Sequence, residues 1–138
     1  MAHPKIKEIA PQALDKNLGL HELEIVDIST TWCPPCQALK NKGFPALLNN
    51  FKEKDIIVYG IDGDEAEEKM GGEPDNPIIR FHVTAYPTCI IFYKGKQIDM
   101  VFNDGDEEFA PGTFMGYWDE SHLIEMIEKV YEYVQKNH

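Results

Sequence analysis

The stretch Trp32-Cys33-Pro34-Pro35-Cys36 decides how this chain folds. Two cysteines separated by two residues form a reversible disulfide at the start of a helix, because free N–H groups and the positive end of the helix dipole stabilise a thiolate there. Pro34 and Pro35 suit a first helical turn, where a missing N–H group costs nothing. We therefore predict that Cys33 is the attacking thiolate and that Cys36, one turn further in, is shielded and resolves the mixed disulfide.

Zinc binding is the competing interpretation of two cysteines at this spacing. A structural zinc site needs four ligands in a tetrahedral arrangement, and the chain has no second cysteine pair. Cys89 and His82 are the only candidates to complete such a site, and both lie far from the pair in sequence. We therefore expect redox chemistry, and we assign no metal ligand.

Length and charge limit the class of protein. A chain of 138 residues, 43% of them hydrophobic, is long enough for one domain with its own core. A net charge of -11 would be repelled by nucleic acid and by anionic lipids, so we expect no nucleic-acid partner. The longest apolar runs, such as residues 89–93, are far too short to span a bilayer, and we expect no membrane insertion.

The N-terminus, Met1 to Lys5, lacks the apolar stretch of a secretory signal, so we expect a cytoplasmic protein. A periplasmic or other extracytoplasmic location stays open if a signal peptide had been removed. The chain has three cysteines and two of them lie in the motif, which is too few for a disulfide framework. The thiols therefore serve chemistry rather than structure.

Strand and helix patterns alternate along the chain, which is typical of a sheet layered by helices. Residues 1–21 form an N-terminal extension with a first strand and a helical turn, and strand 22–29 leads directly into the motif. The helix from Cys33 is expected to bend at Gly43 and Pro45. The remaining predicted elements are a buried strand over 56–61, a short helix over 64–70, a hairpin of strands 88–93 and 96–102 around Lys94-Gly95, and a C-terminal helix capped by Asp119.

With its elements in this order, the chain resembles the thioredoxin family from about Glu22 to the C-terminal helix. The residues that carry the resemblance are Trp32-Cys33-x-x-Cys36 after a strand, Asp27 six residues before Cys33, Tyr86-Pro87-Thr88 at the start of a strand, Gly95 in the hairpin turn, and Gly116 before the last helix. The resemblance implies an α/β thioredoxin fold, a central mixed β-sheet flanked by helices on both faces, as a single domain over residues 1–138.

Asp27 is an acid in an otherwise apolar strand. It faces the same side as Ile25, and a buried carboxylate without a partner is costly, so we expect its pKa to rise. A raised pKa would allow Asp27 to exchange protons with Cys36 near neutral pH. The alternative is a solvent-facing acid on an edge strand. The lysine that often neighbours the buried acid in the family is replaced here by Val58 or Tyr59.

The resemblance also implies a substrate groove beside the disulfide. A cis Tyr86–Pro87 bond would leave the backbone of Tyr86 free to pair with an extended substrate segment, whereas an ordinary trans proline is the alternative. We assign Trp32, next to an exposed thiol, to the rim of this groove, together with Pro34 and Pro35. Outside the groove, Cys89 is expected to be a small buried hydrophobe.

Residues 103–115 form an apparent acidic loop insertion. A calcium-binding EF-hand loop needs glycine at its sixth position and glutamate at its twelfth, but Phe109 and Met115 stand there when the count starts at Asp104. We therefore expect a solvated acidic loop. A partner-docking loop stays open, because aromatic side chains add apolar surface nearby: Phe109, Phe114, Tyr117 and Trp118.

These residues together predict a protein-disulfide reductase in which Cys33 attacks, Cys36 resolves and Asp27 accepts a proton. No phosphate-binding glycine loop is visible, so we expect no cofactor, and a flavin or nicotinamide would belong to a partner. The expected partners are disulfide-containing proteins and an external reductant, either a thioredoxin-reductase-like enzyme or a membrane thiol donor. An extracytoplasmic disulfide exchanger or isomerase, and a non-catalytic binding module that uses the same groove, stay open as alternatives.

Overall fold

The structure is a computed structural model that describes residues 3–137, apart from the side chain of Asp104. Residues 1, 2 and 138, the ends of the predicted domain, lie outside the described residues. The elements in chain order are β1 (Ile6–Glu8), a 3-10 turn (Pro11–Ala13), α1 (Leu14–Asn17), β2 (Leu23–Ser29), α2 (Pro34–Ala38), a π-helical turn (Leu39–Gly43), α3 (Phe44–Asn50), β3 (Ile56–Asp62), α4 (Gly63–Met70), α5 (Pro77–Arg80), β4 (Thr88–Tyr93), β5 (Lys96–Gln97), β6 (Asn103–Asp104), β7 (Glu107–Glu108), β8 (Thr113–Met115) and α6 (Glu120–Asn137).

A mixed sheet forms the centre of the domain. Its strand order is β1-β3-β2-β4-β5, with β8 also paired to β4. Strands β1, β3 and β2 run parallel, and β4 is antiparallel to its neighbours. One face packs Ile25 against Leu47 and Ile127 of the helices, and the other packs Val26 with Leu14 and Phe81. The predicted fold, a mixed sheet with helices on both faces, is confirmed.

The helix that follows the motif is interrupted where the sequence predicts a bend. After α2 the chain widens into the π-helical turn, in which the N–H of Phe44 donates to the carbonyl of Leu39, five residues earlier. Pro45, near the start of α3, has no N–H group to donate and so cannot continue a regular α-helical ladder. The helix is therefore interrupted by a π-helical turn that ends at Gly43, next to the predicted position, and helical structure resumes from Phe44 to Asn50.

The C-terminal helix α6 begins and packs as its sequence predicts. The Asp119 Oδ1 atom accepts a hydrogen bond of 2.8 Å from the backbone N–H of His122, which satisfies a free donor of the first turn. The helix buries one stripe of apolar residues against the sheet. No helix among residues 3–137 is both long and apolar enough to cross a membrane.

The strand after the Lys94-Gly95 turn is shorter than predicted. Strand β5 covers only Lys96–Gln97 and pairs with the C-terminal end of β4, and the N-terminal half of β4 pairs instead with β8. The N–H of Ile98 still donates to the carbonyl of Ile91 at 3.1 Å, and the chain then leaves the sheet and returns at Gly112, whose carbonyl accepts from the N–H of Ile91 at 2.8 Å. The expectation of one strand over 96–102 is wrong, because a later segment takes over its pairing.

The segment predicted as an acidic loop, 103–115, contains the β6–β7 hairpin and then strand β8. Phe109 and Phe114 lie in the core, with 9% and 2% of their surface exposed. Trp118 is about half exposed. The exposed aromatic surface that would favour a docking loop is therefore smaller than expected, because Phe109 and Phe114 pack inward.

Candidate active site

The motif forms a disulfide at the start of α2, directly after the central strand β2. Cys33 and Cys36 are disulfide-bonded, with their Cα atoms 5.2 Å apart. Cys33 is the N-cap residue, and its Sγ atom accepts from the backbone N–H of Cys36 at 3.2 Å. Cys36 is buried, as predicted. Cys33 is only 5% exposed, so the expected exposed thiol is largely covered in the disulfide form.

The Tyr86–Pro87 peptide bond is cis, as the resemblance implied. It brings the carbonyl oxygen of Tyr86 to 3.6 Å from the Cys33 Sγ atom. Pro87 is buried and Tyr86 is half-buried. The alternative of a trans proline is wrong, and the backbone next to the cis bond lies against the Cys33 sulfur.

Trp32 lies beside the disulfide and the Tyr86–Pro87 segment, and 65% of its surface is exposed. Its indole Nε1 donates to Asp64 Oδ2 at 2.8 Å, and its ring meets the Tyr86 ring edge to face, with centroids 5.9 Å apart. Pro34 and Pro35 are also exposed. The structure therefore brings the assigned groove residues together around the disulfide, while their binding of substrate stays a prediction.

Asp27 is buried beneath the site, with 3% of its surface exposed. Burial raises the pKa of its carboxyl to about 7, and the negative charge of Glu8 adds to the rise, whereas Lys40 and a hydrogen bond from Cys89 oppose it. The alternative of a solvent-facing acid is wrong. The carboxyl is able to gain or lose a proton near neutral pH, although its role with Cys36 stays a prediction.

Cys89 is a free, buried cysteine, as expected. Its thiol lies opposite Asp27 in the sheet and donates to Asp27 Oδ1 at a long distance of 3.9 Å. Burial and the neighbouring acid raise the pKa of this thiol well above its ordinary value. The thiol therefore stays protonated and unreactive, and it supplies Asp27 with a weak donor.

The strand register corrects one sequence expectation. The residue opposite Asp27 on β3 is Gly60, not Val58 or Tyr59. Tyr59 points to the other face, where its hydroxyl donates to the buried carboxylate of Glu24 at 2.9 Å. No side chain of β3 therefore stands directly opposite Asp27, and Val58, two residues earlier, lies on the same face of the sheet.

The described residues contain no set of side chains that would support the zinc interpretation. Within residues 3–137, no three side chains of His, Cys, Asp or Glu lie close enough together to hold a metal ion. The Cys89 thiol faces Asp27 inside the core rather than the disulfide.

The family model described as Thioredoxin matches residues 5–115 of this chain. The chain belongs to the thioredoxin family. The matched range includes the disulfide, the cis proline and the buried acid. Together with the Cys33–Cys36 bond, family membership confirms the predicted class of chemistry for this domain, which is thiol–disulfide exchange.

Individual thioredoxins are similar to this chain over most of its length. A thioredoxin from Geodia cydonium is 31% identical over 94 residues, which are 68% of this chain and 76% of that protein. Thioredoxin H2 from Arabidopsis thaliana is 28% identical over 90 residues, 64% of this chain but only 58% of that protein. The structure of a mutant thioredoxin from Halobacterium salinarum superposes with a TM-score of 0.62 at 25% identity and covers 94% of each chain.

Three residues near the thioredoxin site were not found from the sequence. Asp64 holds the Trp32 indole, while Glu8 and Lys40 form an ion pair whose charges act on Asp27. Nothing in the order of residues marks Glu8 and Lys40 as neighbours of the acid. The pairing of β1 with β3 and of β3 with β2 brings Glu8 there, whereas Lys40 comes from the π-helical turn.

Proposed function

We propose that this thioredoxin-family protein reduces disulfides in protein substrates, with Cys33 as nucleophile, Cys36 as resolving thiol and Asp27 as proton acceptor. The observation that carries the proposal is the Cys33 Sγ atom lying 3.6 Å from the Tyr86 carbonyl oxygen. A substrate strand that pairs with this backbone would place its own disulfide against Cys33.

The proposed reaction moves two electrons from the dithiol to the substrate. The Cys33 thiolate attacks one substrate sulfur, the substrate disulfide breaks, and the leaving thiolate takes up a proton. Cys36 then gives its proton to Asp27 and attacks the Cys33 sulfur. This step releases the second substrate thiolate, which is protonated, and forms the Cys33–Cys36 disulfide again.

The dithiol must be regenerated by an electron donor outside this chain. We propose an external reductant, either a thioredoxin-reductase-like enzyme or a membrane thiol donor, and a cytoplasmic location for the cycle. Measurement of the redox potential tests the direction, because a potential near that of a reducing thioredoxin, about -270 mV, favours reduction of substrates. A potential near about -120 mV, typical of a strong oxidant, would instead favour the extracytoplasmic exchanger.

Trapping variants test the unequal roles of the two cysteines. Cys36→Ser keeps the attacking thiolate but removes the resolving step, so mixed disulfides with substrate proteins should accumulate and be released by dithiothreitol. Cys33→Ser should trap nothing, because Cys36 is buried and serine is a poor nucleophile toward sulfur.

The binding-module alternative makes a different prediction. If wild type and Cys33→Ser hold the same partners non-covalently, and Cys36→Ser forms no adduct, the reductase proposal is wrong. Insulin incubated with each reduced variant provides the defined substrate, and a non-reducing gel separates adducts from free protein.

A further inference from the structure

Four strands place four residues in one row across the sheet. Glu8 on β1 pairs with Gly60 on β3, Gly60 pairs with Asp27 on β2, and Asp27 pairs with Cys89 on β4. Paired residues of neighbouring strands share a face, so Glu8, Asp27 and Cys89 project to the same side. Phe114 on β8 lies opposite Cys89 and closes the row at its apolar end.

Gly60 is the gap in this row. A Cβ atom built at Gly60 would lie 2.8 Å from Cδ of Glu8, so the carboxylate of Glu8 occupies the space that a side chain on β3 would take. Glu8 therefore extends from the edge strand toward Asp27. Any larger residue at position 60 would separate the two acids.

Lys40 completes the arrangement from the helical layer. Its Nζ atom forms an ion pair with Glu8 Oε1. The side chains of Lys40 and Glu8 are 37% and 56% exposed, so both reach solvent while Asp27 does not. The pair thus lies between the buried carboxyl and water.

A cavity opens beside the Glu8–Lys40 ion pair, and Asp27 itself does not line it. It has a volume of about 150 Å³ and is lined by Glu8, Lys40, Ser29, Thr30, Thr31, Gln37 and Asp62. A water molecule occupies roughly 30 Å³ in the liquid, so the cavity is large enough to admit water. The hydroxyl of Thr30 is buried at its wall without a hydrogen-bond partner among the described residues. On the opposite side of Asp27, Cys89 and Phe114 are fully packed.

The charged and titratable groups that face Asp27 come from three elements. Glu8 on β1 raises the pKa of Asp27, while Lys40 on the π-helical turn and the Cys89 thiol on β4 lower it, all against the larger effect of burial. Glu8 and Lys40 therefore act on Asp27 in opposite directions.

We propose that Glu8 and Lys40 are positioning residues for the resolving step, and that their opposed charges set the fraction of Asp27 that is ionised and ready to accept a proton. The inference rests on the proposed function. In the step concerned, the proton leaves Cys36 Sγ and binds the Asp27 carboxylate, which later releases it to solvent. Asp27 thereby returns to its ionised form before the next cycle.

Charge-neutral variants test whether Glu8 and Lys40 act on the titration of Asp27 in opposite directions. We expect Glu8→Gln to lower, and Lys40→Gln to raise, the pH at which Asp27 titrates, each by about half a pH unit after allowance for solvent screening. The double variant should fall between them, and Lys40→Arg should restore the wild-type value. The titration is followed by ¹³C NMR of the aspartate carboxyl groups in the reduced protein, with Asp27 assigned from its absence in Asp27→Asn.

The same variants are then compared in single-turnover reduction of insulin across pH. The inflection of the rate should move with the NMR titration, and in an Asp27→Asn background neither substitution should move any inflection. Glu65→Gln and Lys69→Gln remove the same charges from a separate ion pair on α4 and serve as matched controls.

Shifts in the same direction, or no shift in either variant beyond those controls, would overturn the inference. If wild type reduces insulin and Asp27→Asn alone changes its pH profile, the proposed function stands without this inference. If wild type does not reduce insulin at all, the proposed function itself fails.

Discussion

The ring of Tyr86 lies directly on the backbone of Gly63, the first residue of α4. A Cβ atom at Gly63 would come within 2.6 Å of Tyr86 Cε1, closer than any real contact allows. The Tyr86 ring in turn meets Trp32, which Asp64 holds through its indole nitrogen. The absence of a side chain at Gly63 thus allows the Tyr86 ring to pack in its position beside the disulfide.

We expect Gly63→Ala to displace the Tyr86 ring and to lower the rate of insulin reduction by about tenfold, because small displacements at a reacting centre have large effects. The overlap should also destabilise the fold by about 1 to 3 kcal/mol. Gly72→Ala is the control, since a Cβ there meets no atom within 4 Å. Equal rates for the two variants would mean that the Tyr86 ring does not guide the substrate.

Asp27→Asn should stabilise the protein in a pH-dependent way. The native pKa of about 7 lies above the ordinary value of 3.8, so between these values the native state binds more protons than the unfolded state, and stability falls as pH rises. At about 1.36 kcal/mol per pKa unit the cost is about 4 kcal/mol when complete, above pH 7. Thermal melts should show the largest gain for Asp27→Asn at pH 8 and almost none below pH 4. A gain that does not depend on pH would contradict this assignment.

The same Asp27→Asn variant should reduce insulin more slowly near neutral pH, because Cys36 would lose its proton acceptor. Single-turnover rates across pH provide the measurement. Since asparagine is close in size to aspartic acid, the fold should persist, and circular dichroism checks it. A wild-type rate profile in the variant would show that another group accepts the proton.

Tyr59→Phe should destabilise the other face of the sheet. The Tyr59 hydroxyl lies 2.9 Å from both Glu24 Oε2 and the carbonyl oxygen of Asn17, so its removal takes a hydrogen-bond partner from these buried groups. We expect a loss of about 1 to 3 kcal/mol in urea unfolding. Tyr131→Phe is the matched control, because the buried Tyr131 hydroxyl has no hydrogen-bond partner in the part of the chain that the structure describes, and its removal should be nearly neutral.

Thiol counting checks the separation of Cys89 from the redox pair. The reduced native protein should release two equivalents of thionitrobenzoate from Ellman's reagent at once, through Cys33 and Cys36, and a third only after denaturation. Cys89 is fully buried and its pKa is raised, so it has neither access nor thiolate character. A third rapid equivalent in the native protein would contradict this assignment.

The sequence predicts those parts of the site that depend on nearby residues. The cysteine pair, its proline-rich helix start and the apolar strand around Asp27 lie close together in the chain, and each carries a local physical signature. The arrangement around Asp27 is different. Gly60 and Glu8 reach the acid only through the register of three strands, and a register error of one residue would have put Tyr59 in that place.

The fold shows the same division between long and short elements. Strands β2, β3 and β4 and helix α6 have patterns long enough to recognise, whereas β5 and β8 have two and three residues. Such short segments carry no periodicity, and their positions depend on which backbone groups of β4 are available for pairing. Helix α5 was missed for the same reason, although Asn76 caps it and Pro77 opens it.

The β6–β7 hairpin is closed at its base by a hydrogen bond of 3.0 Å from the N–H of Phe109 to the carbonyl of Phe102. Both rings are buried, so these two residues anchor the hairpin to the core while its tip, residues 105–106, is exposed. A tip whose flanking residues are already tied together can accept foreign sequence at small entropic cost. The domain therefore offers a grafting point for a displayed peptide or an affinity tag, with Phe102 and Phe109 as the boundaries that an engineer should leave intact.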